Sequence, residues 1–161
     1  MNIFEYAMQM EKDGESYYRR LIQKTGNKGI KKILTMLADD EVRHYYTIQK
    51  MQTGRPQFAQ TTVLDNAKNV FVQMKESDEK FDLDAGEVEF YRKAQDIEKK
   101  SGDFYQEKAG DKDVEEYQRE IFLKLAGEEK KHYLVLENII QFISRPQQWL
   151  ENAEWYHLDE Y

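Results

Sequence analysis

Two stretches far apart in the chain carry nearly the same phrase, LADDEVRHYY at 37–46 and LAGEEKKHYL at 125–134. Each sets a Glu three residues before a His: Glu41 with His44, and Glu129 with His132. Residues three apart on a helix share a face, so each pair converges on one point. The repetition extends upstream, where EKDGESYY at 11–18 lies over EKKSGDFY at 98–105, matching a Glu-Lys pair and a closing aromatic pair. The upstream and downstream matches differ by one residue in offset, so a single insertion falls in the loop between them. Two copies of one helical hairpin are the simplest reading. Each copy carries one Glu on its first helix, Glu11 or Glu98, and Glu-x-x-His on its second.

The helical pattern supports this division. Gly and Pro are scarce, and residues of good helix propensity abound. A first helix is expected over about 3–25, with Asn2 as its cap and Glu5 in capping-box register. TGNKG breaks it, Gly26 suiting a left-handed C-terminal position and Asn27 the next cap. A second helix is expected over about 28–53, its apolar residues Ile30, Ile33, Leu34, Leu37, Ala38, Val42, Tyr45 and Ile48 recurring at threes and fours. The connection 54–83 is too long for a tight turn and reads as a crossover along the body, with a short helix near 65–76. A third helix is expected from Asp84, with Glu87 in capping-box register, and a fourth from Asp113 to about Ser144, with Glu116 in that register. The domain reading is a four-helix bundle over 1–144, made of hairpins 1–53 and 84–144. The aromatic tail 145–161 then packs on the bundle or on a partner chain.

Heights along the helices make the repeated residues meet. Glu11 and Glu41 are centred on Gly26, and lie roughly 21 Å and 18 Å from that turn at ~1.5 Å per residue. Glu98 and Glu129 are centred near residue 113, roughly 18 Å and 24 Å away by the same rise. All four Glu can then share one layer with both imidazoles. Four unpaired buried carboxylates are very costly. Two bridged divalent metal ions neutralise them, and the donor set matches that described for di-iron and di-manganese carboxylate bundles.

Composition narrows the alternatives. The net charge of −7, with no dense Lys/Arg stripe, argues against nucleic acid as a partner. The absence of Cys removes disulfides, thiolate zinc sites, iron–sulfur clusters and cysteine nucleophiles together. The first residues show no secretory pattern, and no apolar run approaches the ~18 residues of a membrane span. A cytoplasmic chain without membrane association is the expectation.

In these residues the chain resembles the ferritin-like superfamily, and within it the rubrerythrin branch. The resemblance covers residues 1 to about 144 and rests on Glu11, EVRH at 41–44, Glu98 and EKKH at 129–132. The aromatic pairs seven residues after Glu11 and Glu98 resemble that family too. The resemblance implies an all-α ferritin-like four-helix bundle with a long crossover between helices two and three. It also implies two iron ions, Fe2+/Fe3+, at Glu11, Glu41, His44, Glu98, Glu129 and His132. Manganese or zinc is the alternative metal. The implied activity is that of an oxidoreductase reacting with peroxide or dioxygen. Two departures stand out. No Cys-bearing rubredoxin domain is present, which implies a separate electron-donor protein or operation without one. Rubrerythrins also tend to carry an extra Glu three residues after the third-helix ligand, where this chain has Ser101; Gly14 holds the equivalent place in helix one.

Other readings remain open at this point. The same ligands serve ferroxidase-type iron handling, and a structural bundle can keep a vestigial site. Glu154 also precedes His157 by three, but no upstream Glu matches it, and this third pair is read as accidental. Glu15 is either a further ligand or a partner of one, or else a solvated or salt-bridged Glu. Asp40 and Glu128, offset ~100° from the Glu beside them, are expected to face water. Tyr18 and Tyr105 are core aromatics or hydrogen-bond donors to a ligand carboxylate. Trp149, Trp155 and Tyr156 seal an end of the bundle or a dimer contact, and a homodimer is the expected assembly.

Overall fold

A computed structural model describes residues 1–77 and 83–151. The described residues form α1 (Ile3–Lys24), α2 (Lys28–Met51), α3 (Val63–Glu76), α4 (Val88–Ala109), α5 (Glu116–Ser144) and α6 (Pro146–Glu151), with no strand among them. The helices α1 and α2 pack as one antiparallel hairpin and α4 and α5 as the other, giving the all-α ferritin-like bundle the repeat predicts. The crossover carries α3 to one end of the bundle, where it packs on α2, α5 and α6. No helix among the described residues is long and apolar enough to cross a membrane.

Local chemistry sets the helix ends. Asn2 Oδ1 accepts from the Glu5 amide at 2.8 Å, and Asn27 Oδ1 from that of Ile30 at 2.9 Å, each filling an orphan donor of the first turn. Three boundaries differ from the sequence expectation. The turn after α1 does not use a left-handed Gly26. Instead Thr25 leaves the helix extended (φ −83°, ψ 141°), and its hydroxyl accepts from the Asn27 amide, so one helix ends directly into the cap of the next. Asp84 caps a 3-10 turn at Ala85–Glu87 through the Gly86 amide, and the α-helix begins only at Val88. The cap of α5 is Glu115 rather than Asp113: Glu115 and Gln118 form a reciprocal capping box. The DKDVEE run offers several acidic caps, and the box forms where the residue three on is a Gln able to reach back.

Two apolar clusters fill the bundle. The larger joins Leu21, Ile33, Leu37, Phe71, Val135 and Ile139 to the end covered by α3 and α6. The smaller gathers Ala7, Ile48, Met51, Tyr105, Phe122 and Leu125 at the opposite end. Between them in sequence, on all four long helices, lie the repeated Glu and His residues. The tail begins by turning at Pro146 and buries Trp149 against Phe71 and Phe142 of the same chain, at ring separations of 4.5 and 6.1 Å. Trp155, Tyr156 and His157 lie outside the described residues.

Candidate metal centre

All six residues expected as ligands are brought together in the bundle interior. Glu11, Glu41, His44, Glu98, Glu129 and His132 are each at most 3% exposed. They form two overlapping groups, Glu11–Glu41–His44–Glu129 and Glu41–Glu98–Glu129–His132, in each of which one donor atom per residue lies within 4.8 Å of the others. Glu41 and Glu129 belong to both groups. Glu11 with His44, and Glu98 with His132, stand at the two ends.

Both imidazoles turn the same nitrogen inward. His44 Nδ1 lies 3.3 Å from Glu11 Oε2 and 3.1 Å from Glu129 Oε1. His132 Nδ1 lies 3.0 Å from Glu41 Oε1 and 3.3 Å from Glu98 Oε1. The rings stack nearly parallel, with centroids 5.6 Å apart. Their outward nitrogens each meet a carboxylate: His44 Nε2 is 2.7 Å from Glu128 Oε1, and His132 Nε2 is 2.9 Å from Asp40 Oδ2. A proton held on Nε2 by such a partner leaves Nδ1 free to bind a cation.

Asp40 and Glu128 therefore do not face water, which corrects the sequence expectation. Glu128 is 2% exposed, and Asp40 is half-buried. On an isolated helix, the ~100° offset turns Asp40 and Glu128 away from the face of the Glu beside them. In the bundle α2 and α5 face one another, and the residue before Glu41 and before Glu129 reaches the His of the opposite helix. The acidic doublets Asp40-Glu41 and Glu128-Glu129, at the same place in both copies, were the signal in the sequence. Burial alone raises the Asp40 pKa, but its bond to His132 wins and lowers it to about 2. Glu128, also raised by burial, is held below its ordinary value by His44 and then Arg43.

A further layer comes from the crossover. Arg43 bonds Glu128 and Asp40 and donates to the Ala59 carbonyl. Thr61 donates its amide to Glu128 Oε2 at 2.8 Å and its hydroxyl to Asp40 Oδ2. One crossover residue thus braces the outward partners of both histidines. Thr61→Val removes the hydroxyl donor and keeps the shape. It is expected to weaken metal binding by ~10-fold, within the range for lost outer partners. Thr61→Ser is expected to restore it; equal affinity of both variants in a competitive metal titration would disprove the bracing.

The tyrosines of the two copies are exchanged between hairpins. Tyr18 on α1 donates to Glu98 Oε1 on α4, and Tyr105 on α4 donates to Glu11 Oε1 on α1. Burial, and then the charge of Glu98 for Tyr18 and of Glu11 for Tyr105, raises both phenols well above 10, so they stay protonated donors. Glu15 takes the ion-paired alternative, 3.2 Å from Arg19.

The cluster is electrostatically incomplete. Burial, then Glu11, Glu129 and Glu98, raises the Glu41 pKa well above the carboxylate range; burial, then Glu98 and Glu11, does the same at Glu129. Glu98 goes the other way, because His132 beside it outweighs burial. For both imidazoles burial favours the neutral ring, but the surrounding carboxylates prevail and raise the pKa, Glu11 foremost at His44 and Glu98 at His132. Even so, Glu98 Oε2 and Glu129 Oε2 are buried without a hydrogen-bond partner, and Glu11 Oε2, Glu41 Oε1 and Glu129 Oε1 meet only an imidazole nitrogen. Such orphaned acceptors are costly, and cations among them supply what is missing. Carboxylate oxygens and imidazoles, with no thiolate, suit iron or manganese.

Gly14 makes room for this arrangement. A Cβ there would fall 2.6 Å from Glu41 Oε2. Gly14→Ala is expected to stabilise α1 by up to ~1 kcal/mol through helix propensity, while displacing the Glu41 carboxylate and lowering bound metal. Thermal melts with elemental analysis check the two opposite effects; parent-level metal would show the displacement to be harmless.

Comparison with known proteins agrees with this geometry. No curated protein and no solved structure matches the chain. A family model described as rubrerythrin matches residues 2–140, spanning both hairpins and all six clustered residues. The chain, a ferritin-like bundle with a buried carboxylate–imidazole cluster, belongs to the rubrerythrin family.

Proposed function

We propose that this protein is a non-haem di-iron carboxylate oxidoreductase that reduces peroxide, with dioxygen as a second oxidant. The observation that carries the reading is the pair of overlapping donor groups sharing Glu41 and Glu129, with buried carboxylate oxygens short of hydrogen-bond partners. When bound there, a pair of ferrous ions supplies the two electrons that, with two protons, cleave an O–O bond. His44 and His132 would bind through Nδ1, their Nε2 protons held by Glu128 and Asp40. Tyr18 and Tyr105 fix one oxygen of Glu98 and of Glu11, leaving the other oxygen of each for a cation. The apolar clusters on either side limit water at the centre, which strengthens every charge interaction inside it.

Anaerobic loading with ferrous ion, followed by stopped-flow absorbance with hydrogen peroxide and with oxygen, tests the reading. Two irons per chain and ferric absorbance growing faster with peroxide than with oxygen are expected. A chain that binds no iron, or binds it and stays ferrous with both oxidants, would overturn it.

A further inference from the structure

Tyr105, which bonds Glu11 of the centre, is the inner end of a run of rings that reaches the surface. Its ring centroid lies 5.6 Å from that of Phe104, and Phe104 lies 5.0 Å from Tyr6 on α1. These are separations of aromatic rings in contact. Tyr6 is 51% exposed, so the run ends on a phenol open to solvent. Tyr6 and Phe104 also line an open hollow of about 310 Å³, where a small solute reaches both rings.

The duplicated positions do not repeat the run. Tyr6 lies five residues before Glu11, and Lys93, which has no ring, lies five before Glu98. Tyr17 and Tyr18 correspond to Phe104 and Tyr105. Tyr17 instead donates to the Phe90 carbonyl at 2.7 Å, and Tyr18 meets no other ring among the described residues. A second stack leaves Tyr105 through Phe122 to Phe4, at 6.0 and 6.2 Å, but ends on a ring with no phenol. Only the run to Tyr6 joins the centre to an exposed group that can lose one electron and one proton together.

Cleavage of the O–O bond of peroxide takes two electrons, and a centre holding one ferrous ion supplies one. We propose that Tyr6 supplies the other, through Phe104 and Tyr105, and so carries the oxidising equivalent out of the bundle. One hydrogen peroxide, one ferrous ion, one proton and Tyr6 give two waters, one ferric ion and the neutral Tyr6 radical. The electron leaves the Tyr6 phenol inward and its proton leaves to water. Electrons cross between touching rings more readily than through saturated side chains, because orbital overlap falls steeply with the gap. A one-electron reductant of the ascorbate class then returns a hydrogen atom to Tyr6. The source of the oxidising equivalent rests on the peroxide reading above; the path does not.

Two arms separate the path from the chemistry. The chain has no Cys, so Tyr6→Cys gives a single attachment point for a ruthenium tris-bipyridyl photo-oxidant. In iron-free labelled protein, flash oxidation of the label is expected to give a tyrosyl absorbance transient. The transient is expected to be lost in Tyr105→Phe and to form about 10-fold more slowly in Phe104→Leu, which keeps an apolar side chain at a half-buried position. A transient unchanged in either variant would overturn the path. In the second arm, unlabelled protein receives one ferrous ion per chain and then hydrogen peroxide, and is followed by freeze-quench electron paramagnetic resonance. A tyrosyl radical that ascorbate removes about 10-fold faster in the parent than in Tyr6→Phe is expected. Equal removal, or ferric absorbance with no radical, would overturn the role of Tyr6. A parent whose iron stays ferrous would overturn the peroxide reading, while the flash arm still reports on the path.

Discussion

Glu129→Gln is expected to leave the metal-free protein within ~1 kcal/mol of the parent, inside the range of mild substitutions, and to remove most of the stabilisation that metal confers. Burial and the charges of Glu98 and Glu11 push the Glu129 carboxyl well above its ordinary pKa, which favours its neutral form in the cation-free protein. Gln has the same shape and the same neutral charge. With cations present the residue is needed as a carboxylate, and it belongs to both donor groups. A single site filled at 100 times its Kd contributes about 2.7 kcal/mol. In a chain of this size that is worth roughly 5–10 °C in Tm, at ~2–4 °C per kcal/mol. Manganese gives the measurement without redox chemistry: melts with and without the ion, and elemental analysis after gel filtration. Glu41→Gln is expected to behave alike, since Glu41 belongs to both donor groups and is raised in the same direction by burial and then by Glu11, Glu129 and Glu98. Parent-level metal in both variants would dispose of the proposed centre.

Trp149→Ala is expected to cost ~3–5 kcal/mol, the range for removing a large buried aromatic, or on the order of 10 °C in Tm. Trp149 is 3% exposed and closes the larger apolar cluster, edge-on to Phe71 of the crossover helix and to Phe142 of α5. It therefore ties the crossover helix α3 to the end of α5 and to α6. Bound metal is expected to stay at the parent level, because none of the clustered Glu and His residues belongs to that apolar group. A loss below ~1 kcal/mol in a chemical denaturation series would mean that α6 adds little to the bundle, while a loss of metal would mean that the end cap reaches the centre.

The repeat makes much of the protein legible in its sequence. Glu11, Glu41, Glu98 and Glu129 could be placed at similar heights because helical rise is fixed and the turn near Gly26 is short. Asn2 and Asn27 could be read as caps because the cap bond is made within three residues of chain. The boundaries that moved, Gly26, Asp84 and Asp113, lie where several residues compete for one cap and small differences in reach choose among them. Glu15 carried no signal in either direction; its pairing with Arg19 on the same helix face was one of two geometries its position allowed.

By itself the sequence determined the two hairpins, the crossover and the six residues that meet in the interior. Helical period and rise are local properties, and a duplicated Glu with Glu-x-x-His can converge in few other ways. Only the tertiary structure decided what surrounds those residues. Asp40 and Glu128 reach histidines on the opposite helix, Thr61 comes from the crossover, Tyr18 and Tyr105 exchange partners between hairpins, and Gly14 leaves space for Glu41. Each of these contacts joins residues from different helices or segments. Their directions depend on how helices face one another across the bundle, which no periodicity within a single helix specifies.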